Sequence, residues 1–291
     1  MKKIFWIASY PRSGNTWVRA ILSSLFFSEN GEFNFNLLNY VVNFDIPDKY
    51  KFVRSLSVDD FNKLNELPII AKYWLEAQKR IKINEDFAFF KTHSGNVTLN
   101  KHKYTDETNV LGLIYIVRDP RDVAVSYSKH FNISINESIK SIKSKNLINW
   151  TGYPKDKYYR ALLGSWDIHY KSWKGLNVPK LFIKYESLLN DTKGTLVQLI
   201  DFFKQNYGFS FNNIEMKINN IIETTSFKRL HEFEKQKGFI EAPRFHNEKK
   251  ITEYFFRKGT DKQWKKELTK AQLKNIEDSF ETTMKELDYL K

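Results

Sequence analysis

Residues 4–22 read IFWIASYPRSGNTWVRAIL. The run from Ile4 to Ser9 is rich in branched and aromatic side chains, the composition of a buried strand. Beyond it, Val18, Ile21, Leu22 and Leu25 recur at i, i+3, i+4 and i+7, one face of an amphipathic helix. Between the two stands Tyr10-Pro11-Arg12-Ser13-Gly14. A strand that turns at once into a helix leaves Ser13 to Thr16 at the helix N-terminus, where unpaired N–H groups and the helix dipole favour an anion. Gly14 allows close backbone approach, Arg12 offers a forked guanidinium, and Ser13 and Thr16 offer hydroxyls. The plainer alternative is a capped junction with a solvent-facing arginine. The G-x-x-x-x-G-K-[ST] pattern is missing, which weighs against an ATPase.

Working outward, three more runs read as buried strands: Phe87 to Lys91, Leu111 to Val117 and Lys180 to Tyr185. Helical periodicity appears over Tyr158 to Trp173 and Leu188 to Phe203, and a charged, peripheral helix is expected over Lys270 to Leu287. Strands alternating with helices imply an α/β fold: a central parallel sheet flanked by helices on both faces, with ligands at the carboxyl ends of the strands. The segment Asn30 to Glu85 has few strand signals and is expected to form helices and loops at the opening. With no linker, repeat or low-complexity stretch, one domain over residues 1–291 is the expectation.

The composition narrows the class of partner. Forty-seven Lys and Arg against 34 Asp and Glu give a net charge of +13 in 291 residues, which favours anionic partners without choosing among phosphorylated cofactors, nucleic acid or a membrane face. No cysteine is present, so there is neither a disulfide framework nor a thiolate metal site. The apolar runs are too short for a signal-peptide core or a membrane span, and a cytoplasmic protein is expected.

Two further turns are basic. Residues 114–131, IYIVRDPRDVAVSYSKHF, place Arg118 at a strand end, with Arg121 and Ser126 within the next turns. They gather a ligand's anion, or else Arg118, Asp119, Arg121 and Asp122 pair among themselves. Residues 255–268, FFRKGTDKQWKKEL, set Arg257 and Lys258 beside Gly259, a combination able to wrap a phosphate. Three separate basic turns suit a ligand with two well-separated anionic ends.

Taken together, these stretches resemble the soluble, cytosolic-type sulfotransferases that use 3′-phosphoadenosine 5′-phosphosulfate (PAPS). YPRSGNTW is similar to that family's 5′-phosphosulfate loop, VRDPRDVAVSY to its 3′-phosphate element and RKGTDKQWK to its C-terminal cofactor motif; FKTH and GSWDIHYKSW match two more stretches. The resemblance implies the P-loop-like sulfotransferase fold and transfer of the sulfuryl group of PAPS to a hydroxyl or amine of a small-molecule acceptor, leaving adenosine 3′,5′-bisphosphate (PAP). A specialised metabolite such as an alkaloid toxin is among the acceptors it admits. It further implies that Arg12, Ser13, Gly14, Asn15 and Thr16 hold the 5′-phosphosulfate, with Trp17 against the adenine. Arg118 and Ser126 would take the 3′-phosphate, joined by Arg257, Lys258 and Gly259. Tyr185 would hydrogen-bond the adenine, and Thr225, Ser226 and Phe227 would complete the base pocket. His93 matches the catalytic base, a role that suits an imidazole titrating near neutrality. Arg12, with Lys91 as helper, is the candidate for stabilising the leaving oxygen, by analogy with phosphoryl transfer. No metal is expected.

Three departures stand out. Asn15 replaces the family's commonest threonine and is expected to donate to phosphate in its place; Arg12 stands where many members have lysine; and Lys262 stands where a second glycine is usual, leaving the backbone of that loop open. His130, His169 and His246 are candidates for supporting or acceptor-side roles, with Trp166, His169 and Trp173 read first as core packing. Residues 30–85 and 239–255 are expected to shape an acceptor pocket, with some of Phe33, Phe35, Tyr40, Tyr73 and Trp74 lining it. A nucleotide kinase and a basic nucleic-acid-binding protein stay as alternatives, although the expectation is no nucleic-acid and no membrane partner, and a monomer or homodimer.

Overall fold

The computed structural model describes residues 3–81, 86–150, 158–239, 241–242 and 254–291. Its main sheet has five parallel strands: β1 (Ile4–Ser9), β2 (Val41–Asn43), β3 (Ala88–Thr92), β4 (Val110–Val117) and β5 (Lys180–Lys184). Their spatial order is β2-β3-β1-β4-β5. Every residue of β1 is buried because the sheet is covered on both faces. Trp6 and Ala8 enter one hydrophobic cluster, while Phe5 and Ile7 enter the other.

Register fixes where the strands end. Ala8 of β1 lies opposite Thr92 of β3, and Ser9 lies opposite Ile116 of β4. Three carboxyl ends therefore stop at one level, and the residues just past them, Arg12, His93 and Arg118, emerge along one edge. The strand order passes from one side of β1 to the other between β3 and β4, the place where open α/β sheets form a crevice.

The helices that frame this edge are α1 (Asn15–Phe27), α2 (Pro120–Phe131), α3 (Trp166–Lys174), α4 (Tyr185–Asn190), α5 (Thr192–Tyr207), α6 (Phe227–Lys237) and α7 (Lys270–Glu286). The four expected strands are present to within one residue at each end. Three expectations need correction. Between Asn30 and Glu85 a sequence of short helical turns does occur, but Val41–Asn43 adds an edge strand paired with β3. Its three residues are too few to carry a periodic signal. The expected helix over Tyr158 to Trp173 is in fact a short strand, Arg160–Leu162, a left-handed Gly164 (φ 69°) and then α3. The expected helix over Leu188 to Phe203 is broken at Asp191, whose carboxylate accepts the Gly194 N–H (2.8 Å) and caps α5. Helix α7 is charged outside, yet Ile276, Phe280 and Met284 are buried, with Phe280 packed on Trp166 at 5.3 Å.

Candidate active site

At the carboxyl edge the three basic turns converge on one open cleft. The first wall is the β1–α1 turn. Arg12 adopts a left-handed backbone (φ 69°) and Gly14 caps α1 at φ 100°, with no side chain satisfying the helix's first N–H groups. A Cβ on Gly14 would come within 2.7 Å of the Tyr185 ring, so glycine is required by both conformation and contact. Strain held by a charged residue at such a turn marks a functional position.

The Arg12 guanidinium reaches across the cleft. Its Nε donates to Ser126 Oγ at 3.2 Å and an Nη to the Phe255 carbonyl at 3.2 Å, with the Phe255 ring centre 4.7 Å away. Arg118, just past β4, donates to the backbone carbonyls of Arg12 (3.1 Å) and Thr260 (3.0 Å) and lies 4.1 Å over the Tyr185 ring. Burial, with Arg118 and Arg257 nearby, lowers the Arg12 guanidinium to about 10. Like charges crowded in a dry cleft make a site for polyanions. Buried donors of two cleft residues without a partner point the same way: Trp17 Nε1 and Arg118 Nε.

The two alternatives for the second basic turn are both present, divided between its arginines. Arg118 faces the cleft. Arg121 instead pairs with Asp119 (2.7 Å) and Glu277 (2.7 Å), donates to the Tyr289 carbonyl and stacks over Trp264, tying α2 to the C-terminal segment. In the third turn, Arg257 donates to Gln263 (2.6 Å), Lys258 pairs with Glu267 (3.3 Å), and Gly259 sits at φ 59° against the Phe227 ring. Lys262 takes a left-handed conformation (φ 55°) as a glycine would, held by Asp122, whose carboxylate accepts the Lys262 and Trp264 N–H groups (2.6 and 3.0 Å).

Most of the expected site residues meet here. Arg12, Gly14, Asn15, Thr16, Trp17, Lys91, His93, Arg118, Ser126, Tyr185, Phe227, Arg257, Lys258 and Gly259 all border the cleft. Three expected residues do not border it. Ser13 is buried beneath the turn, the Thr225 hydroxyl back-bonds to the Ile221 carbonyl (2.7 Å), and Ser226 caps α6 by accepting the Arg229 N–H. Asn15 also departs from expectation. Its amide donates to the Ile7 carbonyl and Ser9 Oγ, both at 3.2 Å, so those donors brace the strand end rather than face an anion.

His93 follows β3. Its Nδ1 lies 2.9 Å from the Ser9 carbonyl, which can only accept, so the proton sits on Nδ1 and Nε2 keeps its lone pair. Burial first, and then Lys91, push its pKa down to about 3, so the near-neutral titration expected from the sequence is not what this fold gives; the ring is neutral, and a weaker base than a free imidazole. Helix α3 fixes the strand ends. His169 Nε2 donates to the His93 carbonyl (3.0 Å), Trp173 Nε1 to the Ser94 carbonyl (2.9 Å) and Trp166 Nε1 to the Arg118 carbonyl (3.2 Å). These residues are core, as read from the sequence, and also hold the site's backbone.

On the acceptor side the expected aromatics lie elsewhere. Phe35 stacks on Phe233 (3.8 Å) with Phe33 at its edge, Tyr40 stacks on Phe27, Tyr73 donates to Asp60, and Trp74 packs in the core. None of these five borders the cleft, whereas His130, Phe131, Glu241 and Phe255 do. Of these four only His130 was singled out by itself in the sequence, while Glu241 and Phe255 fall within residues 239–255, a segment expected to shape the acceptor pocket. His246 lies outside the described residues.

Comparison with known proteins agrees with this geometry. The sulfotransferase domain model matches residues 2–288. The chain is 24% identical to sulfotransferase 1E1 of Mus musculus over 293 residues, covering 96% of this chain and 83% of the relative. It is also 24% identical to flavonol 3-sulfotransferase of Flaveria bidentis, covering 94% and 78%. Among solved structures, mouse sulfotransferase SULT7A1 complexed with PAP aligns with a TM-score of 0.58 at 20% identity, covering 99% of this chain and 85% of that one. Retinol dehydratase in a complex with retinol and PAP aligns with a TM-score of 0.60 at 18% identity, covering 98% and 82%. At those identities the structural likeness speaks for the fold.

Proposed function

The chain belongs to the sulfotransferase family, and from that premise we propose that it moves the sulfuryl group of PAPS to a hydroxyl or amine of a small acceptor, with His93 as general base. The observation that carries this reading is the crowding of Arg12, Arg118 and Arg257 around one cleft, together with the unpartnered donors of Trp17 and Arg118. That arrangement fits a nucleotide with anions at both ends. The α1 N-terminus with Arg12 and Thr16 would hold the 5′-phosphosulfate. Arg118, Ser126, Arg257, Lys258 and Gly259 would hold the 3′-phosphate, and Trp17, Tyr185 and Phe227 the base.

PAPS supplies an activated sulfuryl group when bound. The chain's own residues do the rest. His93 Nε2, unprotonated and facing the cleft, takes the proton from the acceptor as the sulfuryl group arrives. Arg12, with Lys91 on the neighbouring strand, supplies fixed positive charge where negative charge gathers on the leaving oxygen. Residues 255–259 border the cleft. This segment is tied to the cleft's arginines, the Phe255 carbonyl accepting from Arg12 and the Thr260 carbonyl from Arg118, with Phe255 and Phe256 N–H groups anchored on Glu234 (2.6 and 2.8 Å).

Thermal unfolding with PAP, against ATP plus magnesium, tests the reading, because a ligand of the folded state alone raises its melting temperature. Stabilisation by PAP well beyond that by ATP is expected. An equal or larger effect of ATP, or no effect of either, would overturn the assignment of the 3′-phosphate residues.

A further inference from the structure

One charged group in the cleft has no part in the mechanism above. Arg19 on α1 is 3% exposed, with Nη1 2.7 Å from Glu241 Oε1 and Nε donating to the Val41 carbonyl (2.9 Å). Lys91 Nζ lies 3.4 Å from the other carboxylate oxygen, Oε2. Glu241 and Lys91 both border the cleft, close enough to His93 to act on its charge. Burial pushes the Glu241 carboxyl up, but Arg19 and Lys91 outweigh it and hold it at about 2, so it is charged.

An ion pair buried in a binding cleft is costly relative to apolar packing, and removing one partner is costlier still. The arrangement therefore needs another occupant once Lys91 is drawn towards an arriving sulfuryl group. Oε2 then loses its cation, and a buried carboxylate oxygen without a donor is unfavourable. The acceptor is the molecule entering at that point. We propose that Arg19, Lys91 and Glu241 form an acceptor subsite. In it Glu241 docks acceptors bearing a second hydroxyl or amino group beside the one that is sulfated, and turns away acceptors bearing a carboxylate.

Charge sets the class. Arg12, Arg118, Arg257 and Lys258 are matched by the anions of the nucleotide, which leaves the Arg19–Glu241 pair neutral. A neutral acceptor with a spare donor satisfies Oε2, whereas a carboxylate meets Glu241 as a like charge. Phe131 and Phe255 also border the cleft and offer a ring apolar surface.

This inference rests on the sulfotransferase reading, and the experiment separates the two. Binding of PAP is measured first by calorimetry on the parent, Glu241→Ala and Glu241→Gln; loss of PAP binding by the parent overturns the sulfotransferase reading itself. With PAPS, kcat/KM is then compared for catechol, phenol and 3-hydroxybenzoate by PAP release. The parent is expected to prefer catechol to phenol by about tenfold or more, one hydrogen bond to a charged group, and to disfavour 3-hydroxybenzoate. Glu241→Ala leaves Arg19 without its counter-charge, so the catechol preference disappears and 3-hydroxybenzoate gains at least about tenfold on phenol. Glu241→Gln, which keeps the shape if Ala impairs folding, relieves the exclusion of 3-hydroxybenzoate. Ratios within twofold of the parent's in both variants overturn the proposal. So does intact PAP binding with neither turnover nor binding of any of the three phenols.

Discussion

His169 Nε2 lies 3.0 Å from the carbonyl oxygen of His93, while its Nδ1 accepts the Tyr115 hydroxyl at 2.8 Å. The buried imidazole thus spans β4 and the residue that follows β3, and the backbone carrying His93 is fixed from behind. On the proposal that His93 is the general base, helix α3 would act on the reaction through position rather than contact.

The first prediction concerns that bond. His169→Phe removes the donor and leaves the His93 carbonyl and Tyr115 hydroxyl without it. Small displacement of a base is expensive, so kcat should fall roughly ten- to a hundredfold while the Kd for PAP stays within about threefold. His169→Gln, which can still donate an N–H, should recover part of the loss. Equal kcat in His169→Phe and the parent would mean that His93 keeps its place unaided. His93→Ala is the limiting case: PAP binding retained, turnover reduced about 10²- to 10⁴-fold.

A second prediction follows from burial of the same ring. Burial first lowers the His169 pKa from 6.5 to about 4, against the hydrogen bonds to His93 and Ser94. The fold therefore favours neutral His169. Its contribution is fully present above pH 6.5 and is lost as pH falls towards 4, at about 1.4 kcal/mol per pH unit. His93 acts in the same direction, and Asp45, raised by burial to about 7, in the opposite one. Both remain in His169→Phe. Urea unfolding of parent and variant at pH 7, 6 and 5 should show the parent losing stability more steeply than the variant below 6.5. Parallel slopes would show that His169 does not titrate differently in the folded and unfolded chains.

Two arginines three residues apart should behave as opposites. Arg118→Met removes a cleft guanidinium, so affinity for PAP should fall about 10- to 100-fold, as expected for lost charge-assisted bonds, while affinity for adenosine 5′-phosphate changes little. Arg121→Met should spare the ratio of those affinities. It leaves Asp119 and Glu277 without their partner, and breaking a buried pair costs about 3 kcal/mol of stability. Calorimetry with both nucleotides and denaturant unfolding distinguish the two. Equal loss of both nucleotides in Arg118→Met would remove it from the 3′-phosphate site.

The uneven legibility of this site has a physical basis. The β1–α1 turn could be read because its signals are local: a strand period, a helix period and an anion-binding turn within 19 residues. His93 and Arg118 followed because parallel strands in register end at one level. Glu241 could not be singled out, since its significance comes from Arg19 and Lys91, both more than 100 positions away. The aromatics expected at the acceptor side had the right chemistry, but Phe35 and Trp74 found ring partners in the core. Asn15 was misread because the strand end offered its amide two nearby acceptors, Ile7 and Ser9. Composition does not reveal such competition.

The last prediction concerns the third basic turn. Gly259 has φ 59°, and a Cβ there would lie 2.2 Å from Cγ of Phe227, so alanine demands that the ring or the loop move. Either displacement disturbs the cleft, because Phe227, Arg257 and Lys258 all border it. Gly259→Ala should therefore weaken PAP binding by about tenfold or more, from strain at a left-handed position plus the steric contact. The fold should change little, since the loop lies outside the main sheet. Removing the ring gives the decisive comparison: Gly259→Ala combined with Phe227→Ala should bind PAP more tightly than Gly259→Ala alone, although Phe227→Ala alone binds it more weakly than the parent. Such a reversal, measured by calorimetry as a double-mutant cycle, identifies Gly259 and Phe227 as one contact. Additive losses would instead mean that the two residues act on the nucleotide independently, and that glycine is needed at 259 for its backbone alone.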